Sequence, residues 1–205
     1  MKTLLAFVIA TVAATATHAI AASADQPMPG TQATEWTPLQ TPGDDRQDQL
    51  ARADKAQKEL ATRLMKRLGE SIAAGGPAAG IEVCANEAAD ITQSVAESND
   101  VRIGRTSYKL RNPANSGPPW VAEVVRDRST TRRYFSGSEG TLAVATPIPL
   151  GQMCRQCHGP VADISAEVKD ALTRRYPQDM ATGFEVGDVR GWFWVEVPAP
   201  AKTES

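Results

Sequence analysis

Thr146-Pro147-Ile148-Pro149-Leu150-Gly151-Gln152-Met153-Cys154-Arg155-Gln156-Cys157-His158 is the stretch on which the reading of this chain turns. Pro147 to Gly151 reads as the end of a strand and a loop, since proline and glycine break a strand ladder. A thioredoxin-like thiol pair would instead open a helix after a strand, inside a βαβ pattern. The thioredoxin-like reading therefore falls away. A zinc ribbon needs four ligands, usually as two spaced pairs, and the chain offers one pair plus a lone Cys84. A disulfide between Cys154 and Cys157 stays open. The reading that uses every residue of the motif is attachment of one covalent haem c. Two thiols separated by two residues reach two vinyl groups of one porphyrin, and His158 is placed to give a ring nitrogen to the iron.

Outward from the motif the chain reads as α+β. Ser23 to Pro42 is rich in Pro, Thr, Gln and Gly and reads as a flexible lead-in over 23–43. From Asp44 to about Ala74, Leu50, Ala53, Leu60, Leu64, Leu68 and Ile72 recur at helical spacing. The other face carries Arg52, Lys55, Lys58, Glu59, Arg63, Lys66 and Arg67, a pattern expected of a solvated surface. Gly75-Gly76-Pro77 breaks this helix. A second helix from Pro77 to about Ala96 has the stripe Ile81, Cys84, Ala88, Ile91 and Val95, which turns Cys84 inward. A buried cysteine is also a common small core residue.

Strands are expected at 101–110, 131–135, 142–148 and 191–197, with short helices at 118–126 and from Asp163 or Ser165 to Tyr176. The sum is an antiparallel sheet of about four or five strands with two long N-terminal helices. The haem domain spans 44–198 and a flexible tail 199–205.

Residues 1–22 have the plan of a cleaved export signal: Lys2, an apolar run from Leu4 to Ala14, then small residues through Ala24. The run is shorter than a spanning helix needs, and no later segment is apolar enough to span a membrane. Export to the periplasm is the expectation. Without Lys2 the chain keeps 21 basic against 24 acidic residues, which argues against nucleic acid as a partner. Histidine counts are sharper. His18 leaves with the signal, so His158 is the one histidine of the mature chain and bis-histidine ligation is excluded. Other donors for the second axial position are Cys84, Met65 and Met180. Met153 abuts the motif and Met28 lies in the lead-in. An open, water or lysine-held position is also left standing.

Four blocks carry a resemblance: Ile81-Glu82-Val83-Cys84; Arg105-Thr106-Ser107-Tyr108-Lys109-Leu110-Arg111-Asn112-Pro113-Ala114-Asn115; Cys154 to Gly159; and Gly187-Asp188-Val189-Arg190-Gly191. In these the chain resembles a family of exported single-haem c-type cytochromes with a PAS-like haem domain, formerly a domain of unknown function. The resemblance implies His158 and Cys84 as the axial pair. It also favours Arg105, Lys109 and Arg111 as partners of the haem propionates; from the residues alone they are as readily an exposed basic strand face.

A thiolate ligand stabilises ferric iron and lowers the reduction potential. The implied function is a redox- or gas-responsive sensor component, open to NO or CO when Cys84 leaves and working through a periplasmic signalling partner. No kinase, cyclase or spanning segment is visible up to Ser205. The alternative is a soluble electron carrier with a redox partner protein. Oxidation of sulfur compounds is the remaining enzymatic option, since peroxidase chemistry wants a distal histidine this chain lacks.

Overall fold

The computed structural model describes residues 35–200. The expected targeting segment at 1–22, Met28 and the end of the tail at 201–205 lie outside the described residues. Five strands form one antiparallel sheet: β1 (Thr37–Leu39), β2 (Arg102–Thr106), β3 (Arg133–Ser136), β4 (Leu142–Pro149) and β5 (Val189–Val197). Their order is β1-β3-β4-β5-β2, so the last strand is inserted between the first long strand and the β3–β4 hairpin. The α+β class holds. β1 was not foreseen: it falls in the stretch read as a flexible lead-in, and it pairs with β3 at Thr37–Ser136 and Leu39–Tyr134. Three residues are too short to show a strand period.

The helices are α1 (Gln47–Asn86), α2 (Ala88–Asn99), α3 (Ala122–Arg126), α4 (Arg155–His158) and α5 (Ala166–Arg175). The break expected at Gly75-Gly76-Pro77 is present inside α1, where Gly75 and Gly76 leave helical geometry and Gly76 takes φ 75°. The chain doubles back there, and Arg67 meets Glu87 at 2.6 Å across the two arms. The second expected helix differs in one respect. It is interrupted at Glu87 (φ −117°, ψ −23°) and resumes as α2 up to Asn99. Ser165 caps α5 with its hydroxyl accepting from the Val168 amide, which resolves the choice between Asp163 and Ser165.

Each strand splits its side chains between two layers, as a period of two requires. Leu142, Val144, Val195, Val197 and Ile103 face α1 and α2, where Ala53, Ala56, Leu60 and Val95 are fully buried. Ala143, Ala145 and Trp192 face the other way, onto Trp120, Val121 and Val124. A third cluster joins α5 to the returning arm of α1 through Ile81, Val168, Leu172 and Tyr176. Buried Gln49 donates to the carbonyls of Gly140 and Val197, both at 3.0 Å, and ties α1 to the sheet end without an unpaired amide nitrogen. Trp120 and Trp192 are core residues with their indole N–H groups satisfied by Glu196 (2.7 Å) and the Ser129 carbonyl (2.8 Å). No helix among the described residues is long and apolar enough to cross a membrane.

Candidate haem site

α1 and the sheet do not stay in contact along their whole length. Beyond Leu60 they part around a cavity of about 270 Å³. One wall is the α1 hairpin, with Leu64, Met65 and Leu68 on the outgoing arm and Val83 and Cys84 on the returning arm. The sheet contributes Arg105, Arg190 and Phe193, and the segment after β4 contributes Leu150, Cys154 and His158. The two arms pack closely because residue 80 is glycine; a Cβ there would lie 2.8 Å from Leu68 Cδ1 and 3.1 Å from Ile72 Cγ1. That register brings Cys84 beside Leu64, Met65 and Leu68.

The Cys154–His158 segment closes into one helical turn, α4, with Cys154 at its N-cap. Cys154 borders the cavity, while Cys157 sits behind it against the third cluster, and all three cysteines are unpaired. The turn is held by the strip 181–188. The Phe184 amide donates to the His158 carbonyl (3.0 Å), the Gly183 amide to Gly159 (2.8 Å), and the Leu150 amide to Asp188 (2.8 Å).

The His158 ring is oriented by its surroundings. Its Nδ1 lies 2.7 Å from the Ala181 carbonyl oxygen and 3.0 Å from Arg190 Nε. One nitrogen cannot serve both as donor and as acceptor. An unprotonated Nδ1 would press its lone pair against the carbonyl, so the proton sits on Nδ1 and donates to Ala181. Arg190 is then a close neighbour and not a donor to the ring. Nε2 keeps its lone pair, with Arg111 Nη1 3.5 Å away. Burial holds His158 well below the usual histidine range, and Arg111 and Arg190 push the same way. A neutral imidazole with its outer nitrogen donated to a backbone carbonyl is the arrangement metal-ligating histidines adopt.

Cys84 is buried, which pushes its thiol up, against the pull of Arg105, Arg111 and Arg190. Those three guanidiniums are the main charges on the cavity. Arg111 pairs with Asp179 at 3.1 Å, both nearly buried, and donates to the Cys157 carbonyl at 2.6 Å. Arg105 and Arg190 have no carboxylate partner among the described residues. Burial lowers both, Arg190 to about 10.

Of the three cations expected from sequence, Arg105 and Arg111 reach the cavity and Lys109 does not. The alternation along one strand face fails because β2 ends at Thr106. Lys109 turns instead to the Thr182 carbonyl (2.9 Å) and lies over the Phe184 ring (4.9 Å). Arg190 was missed as a candidate although it stands inside the Gly187–Gly191 block. It lay one residue before the strand expected at 191–197, so no strand period pointed to it.

Among the described residues no three His, Cys, Asp or Glu side chains converge to hold a bare metal ion. The donors stand on separate walls with apolar space between them. That set suits a flat organic group carrying its own metal better than an ion chelated by the chain alone.

Residues 8–198 match the profile of the Tll0287-like family. The chain belongs to this family. No curated protein matches it. Among solved structures, the cyanobacterial heme-protein Tll0287 aligns with a TM-score of 0.57 at 22% identity, covering 76% of this chain and 98% of that one. At that identity the likeness speaks for the fold, and it includes nearly the whole of the cyanobacterial protein.

Proposed function

We propose that this Tll0287-like chain is an exported, periplasmic haem protein. One haem c is bound through thioethers to Cys154 and Cys157, and its iron lies between His158 and Cys84. The observation that carries the reading is the His158 ring: Nδ1–H committed to Ala181, and Nε2 left as the ring's acceptor, with Arg111 Nη1 3.5 Å away, at a cavity that Cys84 also borders. The printed description of the cyanobacterial relative as a heme-protein supports it. Such a group would supply one-electron chemistry and a metal position able to accept a diatomic gas.

The chain's own residues do the rest. Ala181 fixes the imidazole tautomer. Arg111, anchored on Asp179, braces the turn that carries both motif cysteines. Arg105 and Arg190, the two cations without carboxylate partners, are suited to hold the two propionates; Lys109 drops out of that role. α1 and Phe193 exclude water from the iron's neighbourhood. The insertion of β5 between β2 and the β3–β4 hairpin is in keeping with a PAS-like domain, with the short β1 added at the far edge.

The role we favour is a redox- or gas-responsive sensor component that signals through a periplasmic partner. The second reading, electron carriage to a redox partner protein, draws on exposed Val161, Met180 and Val186 on the segments flanking the motif turn (55, 58 and 50% accessible). An apolar rim of that kind suits transient docking.

Mass spectrometry, absorption and EPR of the protein from a cytochrome-maturing host test the assignment, beside Cys84→Ser. The expected result is one covalent haem in both and a changed low-spin ferric spectrum in the variant. Identical spectra would remove Cys84 as a ligand, and a bare polypeptide mass would end the reading. NO or CO binding by the reduced protein supports the sensor; refusal of both gases favours the carrier.

A further inference from the structure

We propose that Met65 is a second sulfur donor for the iron position facing Cys84, taken up when the metal is reduced and Cys84 lets go. This rests on the haem assignment above. Of Met65, Met153 and Met180, only Met65 borders the cavity shared by Cys84 and His158. The hairpin register set by Gly80 against Leu68 and Ile72, and by Arg67 against Glu87, puts it within about a turn of Cys84 on the facing arm.

Its side chain is not consumed by packing. Met65 belongs to none of the three core clusters and is 45% accessible, at the rim of the cavity that Ala61, Leu64 and Leu68 also line. An unbranched thioether with three rotatable bonds can swing into the cavity at little steric cost. The donors also differ in the oxidation state they favour. An anionic thiolate suits ferric iron, and a neutral, soft thioether suits ferrous iron.

The step balances without a further reagent beyond an external one-electron donor. One electron converts ferric to ferrous iron. The bond to Cys84 breaks with both electrons staying on sulfur, and a lone pair of Met65 Sδ forms the new bond. The released thiolate stays on a cavity whose other charges are the guanidiniums of Arg105, Arg111 and Arg190.

Wild type, Met65→Leu and Cys84→Ser are compared as holoproteins by absorption and resonance Raman in both oxidation states, with the CO association rate of each reduced form. Leucine conserves volume at this half-exposed position. Ferric wild type and Met65→Leu should be alike. Reduced wild type should be six-coordinate and low-spin. Reduced Met65→Leu should be five-coordinate and take CO on the order of tenfold faster, the effect of removing an internal competitor. Identical reduced spectra for these two proteins overturn the proposal, as does retention of the thiolate in reduced wild type. An altered ferric spectrum in Met65→Leu also overturns it. A ferric spectrum unchanged by Cys84→Ser, or the absence of covalent haem, instead overturns the assignment on which it rests.

Discussion

The two halves of the α1–sheet interface share one apolar helix stripe and end in opposite states. In the first half Ala53, Ala56 and Leu60 meet Ile103, Val144 and Val195, and every one is nearly or wholly buried. In the second half Leu64, Leu68 and Cys84 face Arg105, Arg190 and Phe193 across open space. β2 marks the change: Ile103 and Arg105 point to the same side, two residues apart, one closing the core and the other opening the cavity. A helix stripe therefore says where burial is wanted, but the strand opposite decides whether the gap is filled by side chains or kept for something else. Guanidiniums cannot collapse onto leucines without stranding their charge, so the second half stays hollow.

The contrast can be broken most severely at the motif. Replacing Cys154 and Cys157 together with alanine should abolish covalent haem, read by mass and by the visible bands, because the two thiols that would form the linkages are removed. Retained covalent haem would refute the site. Arg111→Leu comes next. It leaves Asp179 buried without its cation, and the expected loss is about 3–5 kcal/mol in urea unfolding. A loss under about 1 kcal/mol would mean the pair is solvated. Leu60→Ala removes a side chain from the filled half, for about 2–5 kcal/mol. Leu68→Ala, on the cavity wall, should cost less than half as much, having fewer packed neighbours to lose. Equal losses would erase the distinction between the halves. The smallest effect is expected at Gly80→Ala, whose methyl presses on Leu68 while improving helix propensity. Stability should move by less than about 1 kcal/mol, while the visible spectrum shifts because the arm bearing Cys84 is displaced. An unmoved spectrum would show that the arm spacing does not govern the site.

Long periodic segments were legible from sequence, and so was the break between them, because Gly75-Gly76-Pro77 removes helix propensity at three successive positions; that the two arms double back on each other was not. The interruption at Glu87 was not, since no residue there forbids a helix. Strands β3, β4 and β5 were found within a few residues, whereas β1 is too short to announce itself. At the site, Cys84, Cys154 and His158 were visible as chemistry at recognisable spacing. Arg105 and Arg111 border the cavity, although they were chosen on a faulty premise, a single strand running to Leu110. With β2 ending at Thr106, Lys109 swings to Phe184 and Thr182, and Arg190 from β5 takes the place beside the ring.

By itself the sequence determined that three thiols are present, that two of them are locked to His158 by spacing, and that the scaffold is an antiparallel sheet with two long N-terminal helices. Local rules suffice for these, since period, breakers and motif spacing act over a few residues. Only the tertiary structure decided that Cys84 and His158 share a cavity, that Nε2 and not Nδ1 of His158 is left as the acceptor, and that two guanidiniums lie there without carboxylate partners among the described residues. Those facts depend on contacts between segments as much as 106 residues apart, from Cys84 to Arg190, where packing and burial, not local preference, set which groups meet.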